Sequence, residues 1–149
     1  MIERLLVAAA IAAVTVAGIA PVVAQTPDPA KTREKMMEQN GKDAKLGGAM
    51  LKGDVPFDAA KAAAIFKNMN DVANNFGKYF PAGSDKGTEA SPAIWAKPAD
   101  WQAALAKFQK DTAAAMAAKP QTKEAFGQQF GAVTSNCKSC HESFRVKKG

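Results

Sequence analysis

The sequence predicts an all-α protein folded as an antiparallel up-down-up-down four-helix bundle. Ala and Lys dominate the chain after residue 24 and β-branched residues are few, which favours helices. Apolar side chains recur three and four residues apart in four separate segments, and most of the connections between these segments are short. No repeat or interdomain linker interrupts the 149 residues, so a single domain is expected after the leader described next.

Residues 1–24 differ in composition from the rest of the chain. Pro21 ends an apolar run from Leu5 to Ala20. The residues after it end at Ala24 and place small side chains at the positions that a signal peptidase recognises. A membrane anchor is less suitable, because about 16 apolar residues are short for a hydrocarbon core of about 30 Å. The pattern therefore predicts a Sec-type signal peptide cleaved before Gln25, no stable membrane insertion afterwards, and one mature domain over residues 25–149.

The first amphipathic segment runs from about Pro29 to Leu51 and ends at a glycine followed by a proline. Its small and apolar residues form one helical stripe, namely Met37, Gly41, Ala44, Gly48 and Leu51. We expect this stripe to face the interior, because its 4-3-4-3 spacing follows the turn of a helix. Met37 is then directed inward, whereas Met36 belongs to the mixed neighbouring register.

The other three segments have recognisable starts. The second follows Asp58 as an N-cap, the third opens near Asp100, and the fourth follows Thr122. A long irregular connection with three prolines and two glycines joins the second segment to the third between Phe80 and Pro98. Two apolar residues of this connection are expected to pack against the bundle, Ile94 and Trp95.

The strongest chemical signal is the run Cys137-Lys138-Ser139-Cys140-His141 in the fourth segment. Residues three and four apart share one face of a helix, so both sulfurs and the imidazole project together. This arrangement suits two thioether bonds to the vinyl groups of haem, with His141 as an axial ligand of the iron. We therefore expect one covalently attached haem c in the core of the bundle.

Other uses of the two cysteines fit less well. A closed zinc site needs about four nitrogen or sulfur ligands, and the chain offers two Cys and one His. A thiol-disulfide oxidoreductase usually has its Cys-x-x-Cys at a helix N-terminus in a βαβ setting, whereas here the pair lies well inside a predicted helix. That enzyme remains a remote alternative, and so does a purely structural disulfide.

The second axial ligand of the iron is a separate question. His141 is the only histidine, so ligation by two histidines within one chain is excluded. Five methionines remain after the signal, and Met37 is the best placed, with small residues beside it that leave room for a flat macrocycle. The competing interpretation is that Met37 only fills the core, as methionines at helical spacing usually do.

The sequence resembles the class II c-type cytochromes, the family of cytochrome c′ and the low-spin cytochrome c-556. The resemblance covers essentially the whole mature chain, including the position of the haem motif near the C-terminus. Its marks are Arg33 with Met37, residues 50–53 with Pro56-Phe57-Asp58, Phe80-Pro81 with residues 92–95, and residues 137–145.

The resemblance implies a four-helix bundle holding haem c, often a homodimer, that works in a periplasm with redox partner proteins. Arg33 resembles the arginine that lies near a haem propionate in this family. Arg145 resembles its basic residue one turn past the histidine. Both positions are four residues from a predicted iron ligand, which directs them toward the haem.

Two functions follow from the two branches of this family. In the low-spin branch a methionine at the position of Met37 binds iron, and the protein carries electrons. In cytochrome c′ the corresponding residue does not bind, and five-coordinate iron takes up NO or CO. Residues 37–41 resemble the low-spin branch more closely, so a periplasmic electron carrier with His141 and Met37 as ligands is the first hypothesis, and a gas-binding cytochrome c′ is the alternative.

Charge and composition limit other functions. The residues after the signal retain a formal charge of +6, because Glu3 and Arg4 leave together. Basic residues are scattered and no stripe with interleaved aromatic residues exists, so no nucleic-acid partner is expected. A basic surface could steer an acidic redox partner, and no enzymatic conversion of a substrate is expected.

Overall fold

The computed structural model describes residues 28–146, which form four long α-helices, one short α-helix and a 3₁₀ helix at Phe76–Tyr79. The helices are α1 (Pro29–Lys52), α2 (Ala59–Asn75), α3 (Ala93–Ala96), α4 (Pro98–Ala118) and α5 (Lys123–Phe144). Helix α2 packs against α1 and α4, and α5 packs against α4 and α1, so the four long helices close a bundle. The predicted all-α bundle is confirmed. The predicted signal peptide, residues 1–24, lies outside the described residues.

Helix ends follow the local chemistry that the sequence indicated. The Asp58 carboxylate accepts a hydrogen bond from the backbone N–H of Lys61 at 3.0 Å, and the Thr122 hydroxyl accepts one from Ala125 at 3.2 Å. Both side chains satisfy backbone donors that have no partner within the helix. Helix α1 ends at Gly53, whose φ of 84° is in the left-handed region that glycine adopts without strain.

The buried face of α1 differs from the predicted stripe. Five residues of this helix are buried, namely Arg33, Asn40, Asp43, Gly47 and Met50. Of the stripe predicted to face inward, Met37, Ala44, Gly48 and Leu51 are only half-buried and Gly41 is exposed. Met36 is half-buried as well. Met36 and Met37 therefore do not differ in burial class, although only Met37 was expected to face inward.

The physical reason is that α1 buries polar groups. Asp43 is 6% exposed, and its carboxylate accepts hydrogen bonds from Gln39 Nε2 at 3.1 Å and Asn68 Nδ2 at 3.3 Å. A buried carboxylate that is hydrogen-bonded in this way can occupy a helix interface. Hydrophobic periodicity counts Asp43 and Asn40 as outward residues, and it therefore misses the register of α1 that is buried in the bundle, next to the predicted stripe.

Two hydrophobic clusters divide the bundle along its length. The first cluster lies near the end formed by Met50 of α1 and Phe126 of α5, and it also contains Ile65, Phe66, Met69 and Val133. The second cluster, at the opposite end, consists of Ile94, Trp101, Leu105 and Phe144 with half-buried aromatic residues around them. The predicted packing of residues 94 and 95 is confirmed, because Ile94 is buried and the indole N–H of Trp95 donates to the Phe80 carbonyl at 3.2 Å.

Two adjacent glycines of α1 are expected to respond in opposite directions to substitution by alanine. A Cβ at Gly47 would collide with the ring of Phe130, whereas a Cβ at Gly48 would meet open space. Gly47→Ala is therefore expected to lower the free energy of unfolding by about 1–3 kcal/mol through overpacking. Gly48→Ala is expected to raise it by up to about 1 kcal/mol through helix propensity. Urea unfolding followed by circular dichroism measures both, and equal signs would contradict this packing.

Candidate haem site

A cavity of about 650 Å³ lies between α1, α4, α5 and the loop that follows α2. Helix α5 contributes the cysteines and the histidine of the motif, the residue that follows the helix is Arg145, and α1 contributes the facing wall. All six residues predicted from the sequence to form the site line this one cavity: Arg33, Met37, Cys137, Cys140, His141 and Arg145. The structure thus brings together groups separated by about a hundred residues in the chain.

The remaining walls of the cavity are largely apolar. Phe76, Phe80 and Ile94 line one part of it, and Trp101 with Phe144 lines another. The rings contact one another edge to face, with centroids 4.8 Å apart for Phe80 and Trp101 and 5.2 Å apart for Trp101 and Phe144. Such walls suit a flat apolar macrocycle and exclude water from its faces.

The two cysteines are free, half-buried thiols on the α5 wall. Burial raises the pKa of Cys137, and burial together with the neighbouring Cys137 raises the pKa of Cys140 to about 11. Both groups are therefore thiols at neutral pH, whereas a thiol-disulfide oxidoreductase depends on a lowered pKa. Their position deep in α5 also argues against a thiol-disulfide oxidoreductase, because the positive N-terminal end of the helix dipole is too far away to lower their pKa.

His141 lines the cavity from α5, one residue after Cys140. The residue is exposed overall, but partial burial of the ring and the positive charge of Arg145 lower its pKa. A lowered pKa keeps the imidazole neutral at physiological pH, which is the form that ligates a metal. Within residues 28–146, no three His, Cys, Asp or Glu side chains group as a metal-ion site.

Arg145 ties the end of α5 to the loop before α3. Its Nε donates to the Glu89 carboxylate at 2.5 Å, which raises the pKa of Arg145. The backbone repeats the connection, because Val146 donates to the Glu89 carbonyl at 2.9 Å and Ser91 donates to the Phe144 carbonyl at 3.0 Å. The sequence did not indicate Glu89 as the partner, since the two residues are 56 positions apart. The role of Arg145 toward the haem stays a prediction.

Arg33 is buried, with 6% of its surface exposed. Its guanidinium donates to the Tyr79 carbonyl at 3.2 Å and to Ser84, at 2.9 Å to the hydroxyl and 2.7 Å to the carbonyl. It also lies 4.6 Å from the centre of the Phe80 ring, a cation–π contact. Arg33 is therefore no ordinary surface base, and it anchors the loop at the cavity edge. Its contact with a propionate stays a prediction.

The α1 wall carries Met37, Asn40, Gly41 and Ala44. Open space surrounds the position of a Cβ at Gly41, so this part of the wall leaves room for a macrocycle, as the sequence predicted. Gly48 lies outside the cavity. Asn40 is the residue that sequence reasoning missed: it lines the cavity, and its Oδ1 is buried without a hydrogen-bond partner. Its spacing of three residues from Met37 could have indicated this position, because residues three apart are neighbours on one face of a helix.

These residues fit a haem c. Two free thiols and an imidazole stand on one wall, a methionine and an unpartnered amide line the facing helix, and aromatic rings form the sides. A haem-attachment motif in the last helix of a four-helix bundle defines a class II c-type cytochrome.

Comparison with known proteins agrees with this class. The family model described as Cytochrome C' matches residues 28–145, and the chain therefore belongs to that family. A cytochrome c' of Rhodopseudomonas palustris is 38% identical over 144 residues, covering 94% of this chain and 96% of the relative. A cytochrome c-556 of Agrobacterium fabrum is 35% identical over 116 residues, covering 78% and 80%.

Solved structures give the same result. The structure of cytochrome c' from Rhodopseudomonas palustris superposes with a TM-score of 0.77 at 32% identity, covering 83% of this chain and all of that one. The predicted class II family and the four-helix bundle are thus confirmed. So is the single covalently attached haem c, which cytochromes of this family bind.

Function is supported at the level of a class II haem protein that transfers electrons, of either the c′ or the c-556 type. The comparisons do not resolve whether Met37 ligates the iron, and they agree better with the five-coordinate alternative than with the first hypothesis. The expectations of a homodimer and of no enzymatic activity stay predictions.

Proposed function

We propose that this chain is a periplasmic cytochrome c′, in which His141 is the protein ligand of the iron and Met37 covers the facing side without a permanent bond. The observation that carries the proposal is the single cavity between the α5 wall of His141 and the α1 wall of Met37. The family model and the relative that covers 94% of the chain, both of the c′ type, support it. The open position would take NO or CO.

Each side chain has a distinct task in this proposal. Cys137 and Cys140 hold the macrocycle through thioether bonds, which fix its orientation relative to α5. His141 binds the iron in its neutral form, and the aromatic walls keep water from the faces of the ring. When bound, haem supplies reversible one-electron chemistry and a site for a small ligand.

A second candidate is the electron carrier in which Met37 binds the iron. The location of Met37 on the cavity wall opposite the motif favours it, and so does the similarity to cytochrome c-556 at 35% identity. A thioether ligand would raise the reduction potential and close the iron to gases. The two candidates share every residue of the α5 wall and differ only in whether the sulfur of Met37 forms a bond.

Met37→Ala tests the choice between the two candidates. The cytochrome c′ proposal expects high-spin spectra and ready CO binding by ferrous wild-type protein, with coordination unchanged in Met37→Ala. Met36→Ala is the matched control, because Met36 is half-buried on the same helix and does not line the cavity. A ferric charge-transfer band from a methionine–iron bond, present in wild type and lost only in Met37→Ala, would reject the proposal and establish the electron carrier.

Location and assembly belong to the same proposal. A periplasmic location follows from the predicted signal peptide together with a covalent haem. Across residues 28–146, no helix is both long and apolar enough to cross a membrane. We propose redox proteins as partners, met by collision through the basic surface, and a homodimer as the assembled form.

A further inference from the structure

The end of α5 is held against the loop before α3 close to His141. Ala90 and Arg145 form an antiparallel bridge, and the N–H of Val146 donates to the Glu89 carbonyl at 2.9 Å. Arg145 Nε donates to the Glu89 carboxylate at 2.5 Å. The backbone N–H of Arg145 donates to the His141 carbonyl at 3.3 Å, which continues the helical turn after the histidine. The Glu89 side chain is therefore fixed beside the turn that follows His141.

Glu89 and His141 both line the haem cavity. Burial and the charge of Arg145 lower the pKa of His141, whereas the negative charge of Glu89 acts to raise it. Interactions between charges weaken with distance and are screened by water, so this influence requires the carboxylate to lie near the imidazole. Glu89 is thus an acidic residue of the cavity wall that acts directly on the predicted iron ligand.

An imidazole that binds iron through one ring nitrogen carries a proton on the other nitrogen. In metal sites this second N–H usually donates to a carboxylate, a backbone carbonyl or a water, and the hydrogen bond fixes the ring and raises the basicity of the ligand. A carboxylate has several acceptor positions on its two oxygen atoms. The Glu89 carboxylate can therefore accept from Arg145 and from an imidazole at the same time.

Other acceptor side chains that α5 and the loop before α3 contribute to the cavity are engaged elsewhere. The Thr88 hydroxyl donates to a backbone carbonyl at 2.8 Å and accepts from a backbone N–H at 3.1 Å. The Ser139 hydroxyl donates to backbone carbonyls within α5 at 3.2 and 3.4 Å. Asn136 is bound to two charged side chains of α4, at 3.2 and 2.8 Å. Glu89 is the acidic acceptor that the fold holds at the end of α5.

We infer that the Glu89 carboxylate accepts a hydrogen bond from the ring nitrogen of His141 that does not bind iron, and that it thereby sets the basicity of this ligand. Glu89 is a positioning residue, because it acts through His141, and Arg145 holds it in place. The inference rests on the proposed function through His141 alone, the ligand that both candidates share. A more basic ligand favours ferric over ferrous iron, so Glu89 lowers the reduction potential.

The test compares haem-loaded wild type with Glu89→Gln and Glu89→Ala. Glutamine keeps a weaker, neutral acceptor and alanine keeps none, so the iron–histidine stretching frequency of ferrous protein should fall in Glu89→Gln and at least as far in Glu89→Ala. Resonance Raman spectroscopy measures it. The ratio of ferric to ferrous Glu89→Ala at a fixed potential should fall about tenfold, which is about 59 mV for one electron. Glu142→Gln is the matched control, because it removes the same charge one residue from His141 but outside the cavity.

An unchanged frequency in both Glu89 variants would overturn the inference even if the potential rises, because loss of a negative charge alone raises a potential. An equal frequency shift in Glu142→Gln would overturn it as well. If Met37 occupies the iron of wild-type protein, the same comparison is made in the Met37→Ala background, and a shift there supports Glu89 although the cytochrome c′ assignment has failed. Absence of the iron–histidine band from Met37→Ala would reject His141 as the ligand, and the inference with it. Equal haem content and helicity show that the compared variants are folded.

Discussion

Replacing Cys137 and Cys140 together by serine is expected to eliminate covalent haem attachment completely. Each thiol supplies one of the two sulfur atoms that bond to the macrocycle, and serine forms no equivalent bond. Wild-type protein exported in a host that makes c-type cytochromes should carry one haem per chain after denaturation. The double variant should carry none. Haem staining of a denaturing gel and intact-mass spectrometry measure the difference.

The control for this experiment lies inside the same motif. Lys138 is exposed, with 83% of its side chain accessible, and it makes only a long 3.9 Å ion pair with Glu142. Lys138→Ala should therefore retain full attachment. Covalent haem in the double serine variant would contradict the assigned role of the two cysteines. Loss of haem in Lys138→Ala would instead point to a defect in export or recognition of the segment.

Phe126→Ala is expected to lower the free energy of unfolding by about 3–5 kcal/mol, the usual range for removing a fully buried aromatic side chain. Phe126 has no exposed surface, and its ring centroid lies 5.9 Å from Phe57, 5.3 Å from Phe66 and 5.1 Å from Phe130. Truncation would leave a cavity among three other rings that cannot all move into it. Urea unfolding of the haem-loaded protein, monitored by far-ultraviolet circular dichroism, gives the value.

Two companion variants show whether packing is the cause. Phe126→Leu retains much of the side-chain volume and should cost markedly less than Phe126→Ala. Met116→Ala removes a side chain that is 39% exposed on α4, and its effect should be within about 0.5 kcal/mol. Because Phe126 lies in the first hydrophobic cluster and not in the cavity wall, the visible spectrum should be unchanged. A loss below about 1 kcal/mol for Phe126→Ala would contradict the assigned packing.

Much of the architecture was accessible from the sequence because it depends on local rules. Apolar spacing of three and four residues located the long helices, and caps such as Asp58 and Thr122 set where they begin. The third long helix begins at Pro98, close to the expected start near Asp100, because a proline fits the first turn of a helix. The motif on α5 was equally local, since its two thiols and its imidazole lie within five residues.

The features missed by the sequence reasoning depend on contacts between distant parts of the chain. Burial of Asp43 depends on Asn68 of α2, which the spacing of residues along α1 does not reveal. The engagement of Arg33 with Ser84 depends on the course of the loop after α2. Asn40 belongs to the mixed register beside the predicted stripe, and its place on the cavity wall depends on how α1, α4 and α5 pack together.

The two hydrophobic clusters have a consequence for how the molecule matures. The end of the bundle around Phe66 and Val133 is completed by its own side chains, so it can become ordered before the prosthetic group arrives. The opposite end, around Trp101 and Phe144, surrounds a cavity and gains its full packing only from what is attached to the cysteines. One half of the polypeptide can therefore serve as a scaffold while the other half stays accessible to the machinery that performs the attachment.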